Sequence, residues 1–383
     1  MKKFIKFTAI ALVACTYISC KKEAPVQALT GNEAKTQLKE VNACTSPPQF
    51  LAIRTVGGPN EDVGFNIVLH PSGIVALVGS FSGTVDFDPG AGIKNLSASN
   101  GAYFSQWFDR SAKFVNAAIE SPAALAYKDK QGNTYDVVAE DGIVTENSVL
   151  NCSVASKNYL LEKKDPSGNL LWKSMLRETD ENPCRLSFDY TILEDKNGNI
   201  IVNSNQGGWK KLRPSGQTLP FNIPANYAGR FWMDAQDNIY VQYDEKRPPN
   251  KSLSKYDSKT GKELWYLDMP FSNLDIDAVG NVFITGTFEG TRDFNPGPGT
   301  YNLTAAVAKT MFVQKLDANK SFHWAKKLGT GNPAAVKVDP NGKYIFIAGS
   351  FDGTQTYSTI AGNVTAISKG KTDAFLIALQ QCN

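Results

Sequence analysis

The sequence predicts an all-β protein built from repeated four-stranded antiparallel units. The clearest repeat is Asp275 to Gly297, DIDAVGNVFITGTFEGTRDFNPG, and related stretches occur at Val75 to Gly90 and Val336 to Tyr357. It reads as a short apolar strand, an Asp-x-x-Gly-Asn turn, a second strand rich in β-branched and aromatic residues, and a Gly/Pro loop. The 383 residues include 31 Gly, 19 Pro, 21 Phe and 14 Tyr, which also favours many strands joined by turns.

The first recurring marker is the turn that follows the first strand of each unit. An Asp leads five of the six turns, where its carboxylate can accept backbone N–H groups, and the fourth residue supplies a positive φ. The six turns begin at His70, Asp129, Asp195, Asp234, Asp277 and Asp339.

The second marker is a later hairpin whose outgoing strand often carries a tryptophan, which predicts packing between units. These hairpins span Trp107 to Ile119, Lys163 to Met175, Lys211 to Ile223, Lys255 to Leu267 and Lys315 to Lys327. A single four-stranded unit cannot bury both of its faces, whereas a closed ring of units can. The pattern is therefore typical of a β-propeller.

The ends of the chain indicate how the ring closes. The last unit has a third strand at Asp373 to Gln380 but no outer strand, while Gln49 to Val56 resembles an outer strand without a unit. We therefore expect the N-terminal strand to complete the last blade, giving six blades in a domain of residues 47–383. Seven blades is the alternative, if Asp141 to Tyr159 hides an additional hairpin.

The N-terminus predicts export and lipid anchoring. Residues 1–19 combine three lysines with the apolar run Phe7 to Ser19, which suits a signal peptide and is too short to span a membrane. Cys20 follows this run in the manner of a bacterial lipobox, so residues 20–46 are expected to form a lipidated tether. Cys15 is the alternative lipidation site.

Charge argues against a nucleic-acid partner. The formal net charge is +3, and cleavage before Cys20 would remove three lysines and leave a neutral protein. Nucleic-acid binding requires a basic face. We expect a monomer that meets the membrane only through its lipid.

Four further cysteines in an exported chain favour disulfides, and their spacing fits no zinc site. Cys152 and Cys184 flank one hairpin region of the second unit. Cys44 and Cys382 lie next to the two strands expected to pair in the last blade. The predicted pairs are therefore Cys152–Cys184 and Cys44–Cys382.

The repeats resemble known families. GNVFITGTFEGTRDFNPG with MFVQKLDANKSFHWAKKLG resembles the SBBP-type β-propeller repeat of bacterial exported proteins, and KYDSKTGKELW resembles the outer hairpin of pyrroloquinoline-quinone-type propeller repeats. The resemblance covers about residues 50–380. Its motifs specify strands and turns, so it implies a fold and no particular activity.

Candidate site residues lie two positions before the first turn of their blade. Strand alternation could point Tyr127, Trp232, Asp275 and Lys337 into the central channel, as ligand-binding residues. The Asp86 to Gly90 and Asp293 to Gly297 loops offer too few oxygen ligands for calcium. With two histidines and no HExxH, P-loop or GxSxG motif, we predict no metal and no cofactor.

The sequence favours a binding or scaffolding lipoprotein of the bacterial outer membrane, facing the periplasm or the cell surface. Loops on one face of the ring would bind a protein or carbohydrate partner. The alternative is a propeller-fold enzyme, a glycosidase, lyase or quinoprotein, with its site at the channel mouth. Converging acids at that mouth would favour glycoside chemistry, and a neutral aromatic mouth would favour binding.

Overall fold

The chain forms a six-bladed β-propeller, as predicted. The fold comes from a computed structural model, which describes residues 46–70, 72–121, 127–147, 152–179, 190–204, 208–221, 223, 228–247, 251–305, 307 and 309–381. These residues form strands and turns only, so no helix among them is long and apolar enough to cross a membrane.

The strands of the first half of the ring follow one another along the chain. They are β1 Gln49–Val56, β2 Val63–Leu69, β3 Val75–Asp86, β4 Asn95–Phe108, β5 Phe114–Glu120, β6 Tyr127–Lys128, β7 Thr134–Asn147, β8 Cys152–Lys164, β9 Leu170–Thr179, β10 Tyr190–Glu194, β11 Ile200–Ser204, β12 Gly208–Leu212 and β13 Thr218–Leu219.

The second half contains two extra hairpins. Its strands are β14 Ala228–Met233, β15 Ile239–Arg247, β16 Lys251–Tyr256, β17 Glu263–Leu267, β18 Asn273–Ile276, β19 Val282–Phe288, β20 Thr291–Asp293, β21 Asn302–Thr304, β22 Thr310–Leu316, β23 Phe322–Thr330, β24 Asn332–Val338, β25 Tyr344–Phe351, β26 Thr354–Thr359, β27 Gly362–Ile367 and β28 Asp373–Gln380.

Each blade is an antiparallel sheet of four strands. Blades 1 to 4 are β2–β5, β6–β9, β10–β13 and β14–β17, and blade 5 has the order β18-β19-β22-β23. Blade 6 has the order β24-β25-β28-β1, with hairpin β26–β27 added beyond β1. Hairpin β20–β21 forms a separate two-stranded sheet.

The N-terminal strand closes the ring. β1 pairs antiparallel with β28 from Gln49↔Gln380 to Val56↔Ala374, and parallel with β26 at Phe50↔Thr359. The start of β1 therefore lies beside the end of β28, as the sequence predicted.

The stretch from Asp141 to Tyr159 adds no seventh blade. Its described residues extend β7 and β8 into one long hairpin, paired from Asp141↔Lys157 to Asn147↔Cys152.

The predicted turns owe their shape to local polar bonds. In the turn at Asp277, the carboxylate accepts the backbone N–H of Val279 at 3.1 Å and of Asn281 at 2.8 Å. The fourth residue has positive φ in all six turns, at 66° even for the non-glycine Asp237. The Asp-led pattern therefore specifies the turn through bonds between residues of the turn itself.

The core lies in the interfaces between consecutive blades, which we call seams. Five clusters of buried apolar side chains fill the seams from 2/3 through 6/1. The 5/6 seam, for example, holds Trp324, Phe283, Ile345 and Leu379 with almost no exposure. Burial of one such side chain stabilises the fold by about 1.5–3 kcal/mol, so the seams hold the ring together.

Cysteine predictions fall mostly outside the described residues. Cys15, Cys20, Cys44, Cys184 and Cys382 lie there, so the signal peptide, the lipidation and both disulfides stay predictions.

Candidate functional site

The four predicted site residues occupy one register position on the inner strands. Each lies two residues before the first turn of its blade, where blades 1 and 3 carry apolar residues. The six residues at this position are Val68, Tyr127, Leu193, Trp232, Asp275 and Lys337, and we call them the inner row.

The structure brings Asp275 and Lys337 together across the 5/6 seam. Lys337 Nζ lies 2.8 Å from Asp275 Oδ1, and Asp275 Oδ2 accepts the backbone N–H of Val338 at 2.9 Å. The two charges cancel, and both oxygens of the carboxylate are hydrogen-bonded. The inner row is therefore electrically neutral.

Tyr127 and Trp232 pack elsewhere along the row. The Tyr127 ring lies 5.9 Å from Tyr135 in the 2/3 seam, and Trp232 lies 6.2 Å from Phe271 in the 4/5 seam. Burial, with Glu194 and Asp129 nearby, raises the pKa of Tyr127, so its phenol stays protonated. A ligand-binding role for all four residues stays a prediction.

Buried ion pairs behind the turns were missed by the sequence reasoning. Lys163, Lys211 and Lys255 lie 2.8–3.1 Å from the carboxylates of Asp129, Asp195 and Asp234 respectively, in blades 2, 3 and 4. Each lysine stands on the third strand, two residues before the outer turn, and this spacing was the available signal.

These carboxylates are engaged in structural bonds. Burial alone would raise the pKa of Asp129, but hydrogen bonds from Asn133, Lys163 and Tyr135 bring the net pKa below its ordinary value. The same balance, with Lys211 and Asn199 as donors, lowers the pKa of Asp195. Carboxylates held this way do not act as general acids at neutral pH.

The two Asp-Phe loops are structural, and they are near copies of each other. Asp86 Oδ1 accepts N–H groups of Asp88 and Lys94 at 3.0 and 2.8 Å, and Asp293 does the same for Asn295 and Tyr301 at 2.9 and 2.8 Å. These bonds use Oδ1 of each Asp within its own loop and give the two loops the same local shape.

Each loop also buries one ring of a phenylalanine triad. Centroid distances are 5.1, 6.1 and 4.9 Å in Phe81, Phe87 and Phe104 of blade 1, and the same in Phe288, Phe294 and Phe312 of blade 5.

The described residues were compared with what a metal site or a histidine-based active site would require. They contain no group of three or more His, Cys, Asp or Glu side chains placed to hold a metal ion. His70 Nδ1 lies 2.7 Å from Ser72 Oγ within its turn, and burial lowers the pKa of His323 on an outer strand. The two histidines thus belong to separate elements of blades 1 and 5.

The fold and the inner row define the class of protein as a six-bladed β-propeller with a neutral inner row. No known protein family matches the chain, and no curated protein matches it either.

Solved structures resemble it distantly. Hydrazine synthase of Kuenenia stuttgartiensis has 11% identity and a TM-score of 0.38, covering 55% of this chain and 62% of its own. A protein of unknown function from Bacteroides caccae has 9% identity and a TM-score of 0.33, covering 74% and 94%. The present chain thus spans less than two thirds of the hydrazine synthase chain, and the fold assignment rests on its own sheet topology.

Proposed function

We propose that the protein is a lipid-anchored binding or scaffolding protein of the bacterial outer membrane. Its partner, a protein or a carbohydrate, would bind through one face of the ring. The observation that carries this proposal is the neutral inner row, in which the Asp275–Lys337 pair is closed at 2.8 Å and the other four residues are apolar or aromatic.

The enzyme alternative finds less support. A glycosidase needs two available carboxyl groups, about 5–9.5 Å apart, on either side of the scissile bond. Asp275 is paired with Lys337, and Asp129 is held by Lys163 and Asn133. A quinoprotein would need cationic groups free to meet an anionic cofactor, whereas the inner-row cation, Lys337, is already neutralised.

Lipid anchoring through Cys20 is part of the proposal, as is kinship with SBBP-type or pyrroloquinoline-quinone-type repeats. Two or three acyl chains anchor a protein stably, while one binds only marginally. Intact-mass analysis of membrane-extracted protein should give a chain that begins at Cys20 with added acyl mass. A chain that begins elsewhere without lipid would contradict the anchor.

A variant that removes both charges of the Asp275–Lys337 pair distinguishes a binding function from a catalytic one. We would compare the wild type with the double variant Asp275→Asn/Lys337→Met, using Asp317→Asn in an outer turn as the matched control. Immobilised proteins are tested for retention of glycans and outer-membrane proteins, and in parallel for hydrolysis of chromogenic glycosides.

We expect retention that the double variant weakens at least about tenfold, equivalent to about 1.4 kcal/mol, without turnover by any form. Turnover that disappears in the double variant and persists in Asp317→Asn would establish the enzyme instead. Equal retention by all three forms would show that the Asp275–Lys337 pair of the inner row does not take part in binding the partner.

A further inference from the structure

Three of the six seams contain a tryptophan at one equivalent position. Trp172, Trp265 and Trp324 stand on the outer strands of blades 2, 4 and 5, each paired in register with the third-strand lysine of its blade. Each indole packs edge-on against the aromatic ring of the second strand. The ring centroids lie 6.0 Å apart for Tyr135, 5.6 Å for Tyr240 and 6.2 Å for Phe283.

Two of these indoles donate a hydrogen bond across the seam. Trp172 Nε1 donates to the carbonyl of Pro214 at 2.8 Å, and Trp265 Nε1 donates to the carbonyl of Ala318 at 3.0 Å. Pro214 and Ala318 are both the second residue of the next blade's outer turn. A half-buried indole with its N–H on this carbonyl is thus a recurring component of the ring.

Blade 3 lacks both rings of this arrangement. Its second strand carries Ile201 and its outer strand carries Leu219, at the positions that pair in register with Lys211. The outer strand β13 has only two residues, Thr218–Leu219, and is followed by Pro220. Blade 3 therefore places an aliphatic side chain where its neighbours place an indole.

A cavity of about 460 Å³ opens at this place, between the turns of blades 3 and 4. Leu219 and Phe221 line it from blade 3, and Ser258 and Lys259 line it from the outer turn of blade 4. Ser258 is the second residue of that turn, the position of Pro214 and Ala318 in the other seams. The cavity has the volume of small-molecule sites, about 300–1,000 Å³.

The rim of the cavity is fixed by ion pairs. Lys196 Nζ lies 3.1 Å from Asp237 Oδ2, and the Lys196 N–H donates to Asp237 Oδ1 at 3.1 Å, which ties blade 3 to blade 4. Lys211 lies 2.8 Å from Asp195 and 5.7 Å from the centroid of the Phe221 ring. The walls are therefore preformed, which lowers the free-energy cost of binding.

We propose that this cavity binds a small molecule containing a planar bicyclic heteroaromatic ring with an N–H donor, of which indole is the simplest. The ring would occupy the space that Trp172 and Trp265 fill in their own seams, beside Phe221 and Leu219. Its N–H would donate to the Ser258 carbonyl. This site stands apart from the inner row and does not depend on the function proposed for that row.

The first test varies the ligand on the wild-type mature protein. Isothermal titration calorimetry with indole should show saturable binding, and 1-methylindole, which keeps the ring and lacks the donor, should bind about tenfold more weakly. Equal affinity for the two compounds would overturn the hydrogen bond to Ser258, and no saturable binding of indole would overturn the site.

The second test fills the cavity from within. Leu219→Trp should supply the missing indole, abolish indole binding and raise the melting temperature. Leu171→Trp is the matched control, because Leu171 is 51% exposed on the outer strand of blade 2, and it should bind indole as the wild type does.

Indole binding that survives in a folded Leu219→Trp protein would place the ligand elsewhere and overturn the proposal. If Leu219→Trp does not fold, the comparison of indole with 1-methylindole on the wild type still tests whether the cavity binds indole through its N–H. Binding of a tryptophan-containing peptide without binding of indole would overturn the small-molecule assignment and identify a polypeptide partner.

Discussion

The 4/5 and 5/6 seams contain the same lysine and tryptophan positions but satisfy them differently. In the 4/5 seam, Lys255 lies 3.0 Å from Asp234 and donates to the carbonyl of Ala318 at 3.2 Å, the same carbonyl that accepts the Trp265 N–H. In the 5/6 seam, Lys315 Nζ and Trp324 Nε1 are fully buried and find no hydrogen-bond partner among the described residues.

The difference follows from how blade 6 is closed. Blade 5 offers an outer turn whose Ala318 carbonyl reaches back to blade 4. In blade 6 no turn joins the third strand to the fourth, because β1 supplies the fourth strand from the other end of the chain. Closing the ring with the N-terminal strand thus removes the backbone acceptor that an ordinary seam provides.

The largest effect is expected from the covalent closure of blade 6. If Cys44 and Cys382 are joined, Cys44→Ser should destabilise the protein by up to about 5 kcal/mol, because the disulfide closes a loop of nearly the whole propeller. The melting temperature and the first sites of limited proteolysis, expected in blade 6, measure this.

Cys152→Ser serves as the comparison, since the Cys152–Cys184 disulfide would close a short loop, with an expected cost of about 3–4 kcal/mol. A melting temperature that Cys44→Ser leaves unchanged would contradict the closure.

The second prediction compares the two lysines directly. Lys255→Met should cost about 3–5 kcal/mol, because it leaves the buried Asp234 carboxylate without its cation. Lys315→Met should leave the free energy of unfolding unchanged or raise it, since no hydrogen bond among the described residues offsets the burial of the Lys315 ammonium. Chemical denaturation measures both, and equal losses would show that the 5/6 seam pairs its lysine after all.

The third prediction exchanges the ring beside each lysine. Tyr240 OH donates to Asp234 at 3.3 Å, and Tyr135 OH donates to Asp129 at 3.0 Å, whereas blade 5 has Phe283 at the equivalent position. Phe283→Tyr should stabilise the protein by about 1 kcal/mol through a bond to Asp277, and Tyr240→Phe should destabilise it by a similar amount. Changes of the same sign in both variants would refute the equivalence of the two seams.

The smallest expected effect is a pH dependence of the 5/6 seam. Burial lowers the pKa of Lys315 from its ordinary 10.5, against the opposing attraction of Asp277. Between the folded pKa and 10.5 the unfolded chain binds a proton that the native protein lacks, so stability gains from Lys315 as the pH rises.

The test is the difference in unfolding free energy between the wild type and Lys315→Met. If Lys315→Met has a higher free energy of unfolding than the wild type, this difference should shrink as the pH approaches 10.5. An advantage that stays constant between pH 7 and 10 would mean that Lys315 does not titrate in this way.

Much of this fold could be predicted because its signals are local. The turn at Asp277 is specified by residues within four positions of each other, and the aromatic second strand follows directly. The closure by Gln49 to Val56 was predictable because a strand was missing from one unit and surplus at the other end. The Asp129–Lys163 pair was not predicted, because it depends on the register of strands far apart in sequence.

The candidate site was predictable in the same limited sense. Asp275 and Lys337 each lie two residues before the first turn of their blade, which predicted that they occupy equivalent positions on adjacent blades. This spacing could not show that they form an ion pair. The cavity beside Leu219 had a signal in the sequence, since the hairpin Lys211 to Ile223 has Leu219 where the hairpins of blades 2, 4 and 5 have a tryptophan. This difference could be interpreted only once the structure showed that Trp172 and Trp265 fill the equivalent space in their own seams.

Closure by β1 has a consequence for protein engineering. The break in blade 6 is one of several places where the ring could be opened. A circular permutant that joins the native ends with a short linker and begins within the outer turn at Ala318 would move the break to blade 5. Blade 4 would then lose the Ala318 carbonyl as an acceptor for Lys255 and Trp265. A new turn in blade 6 could provide an equivalent carbonyl for Lys315 and Trp324.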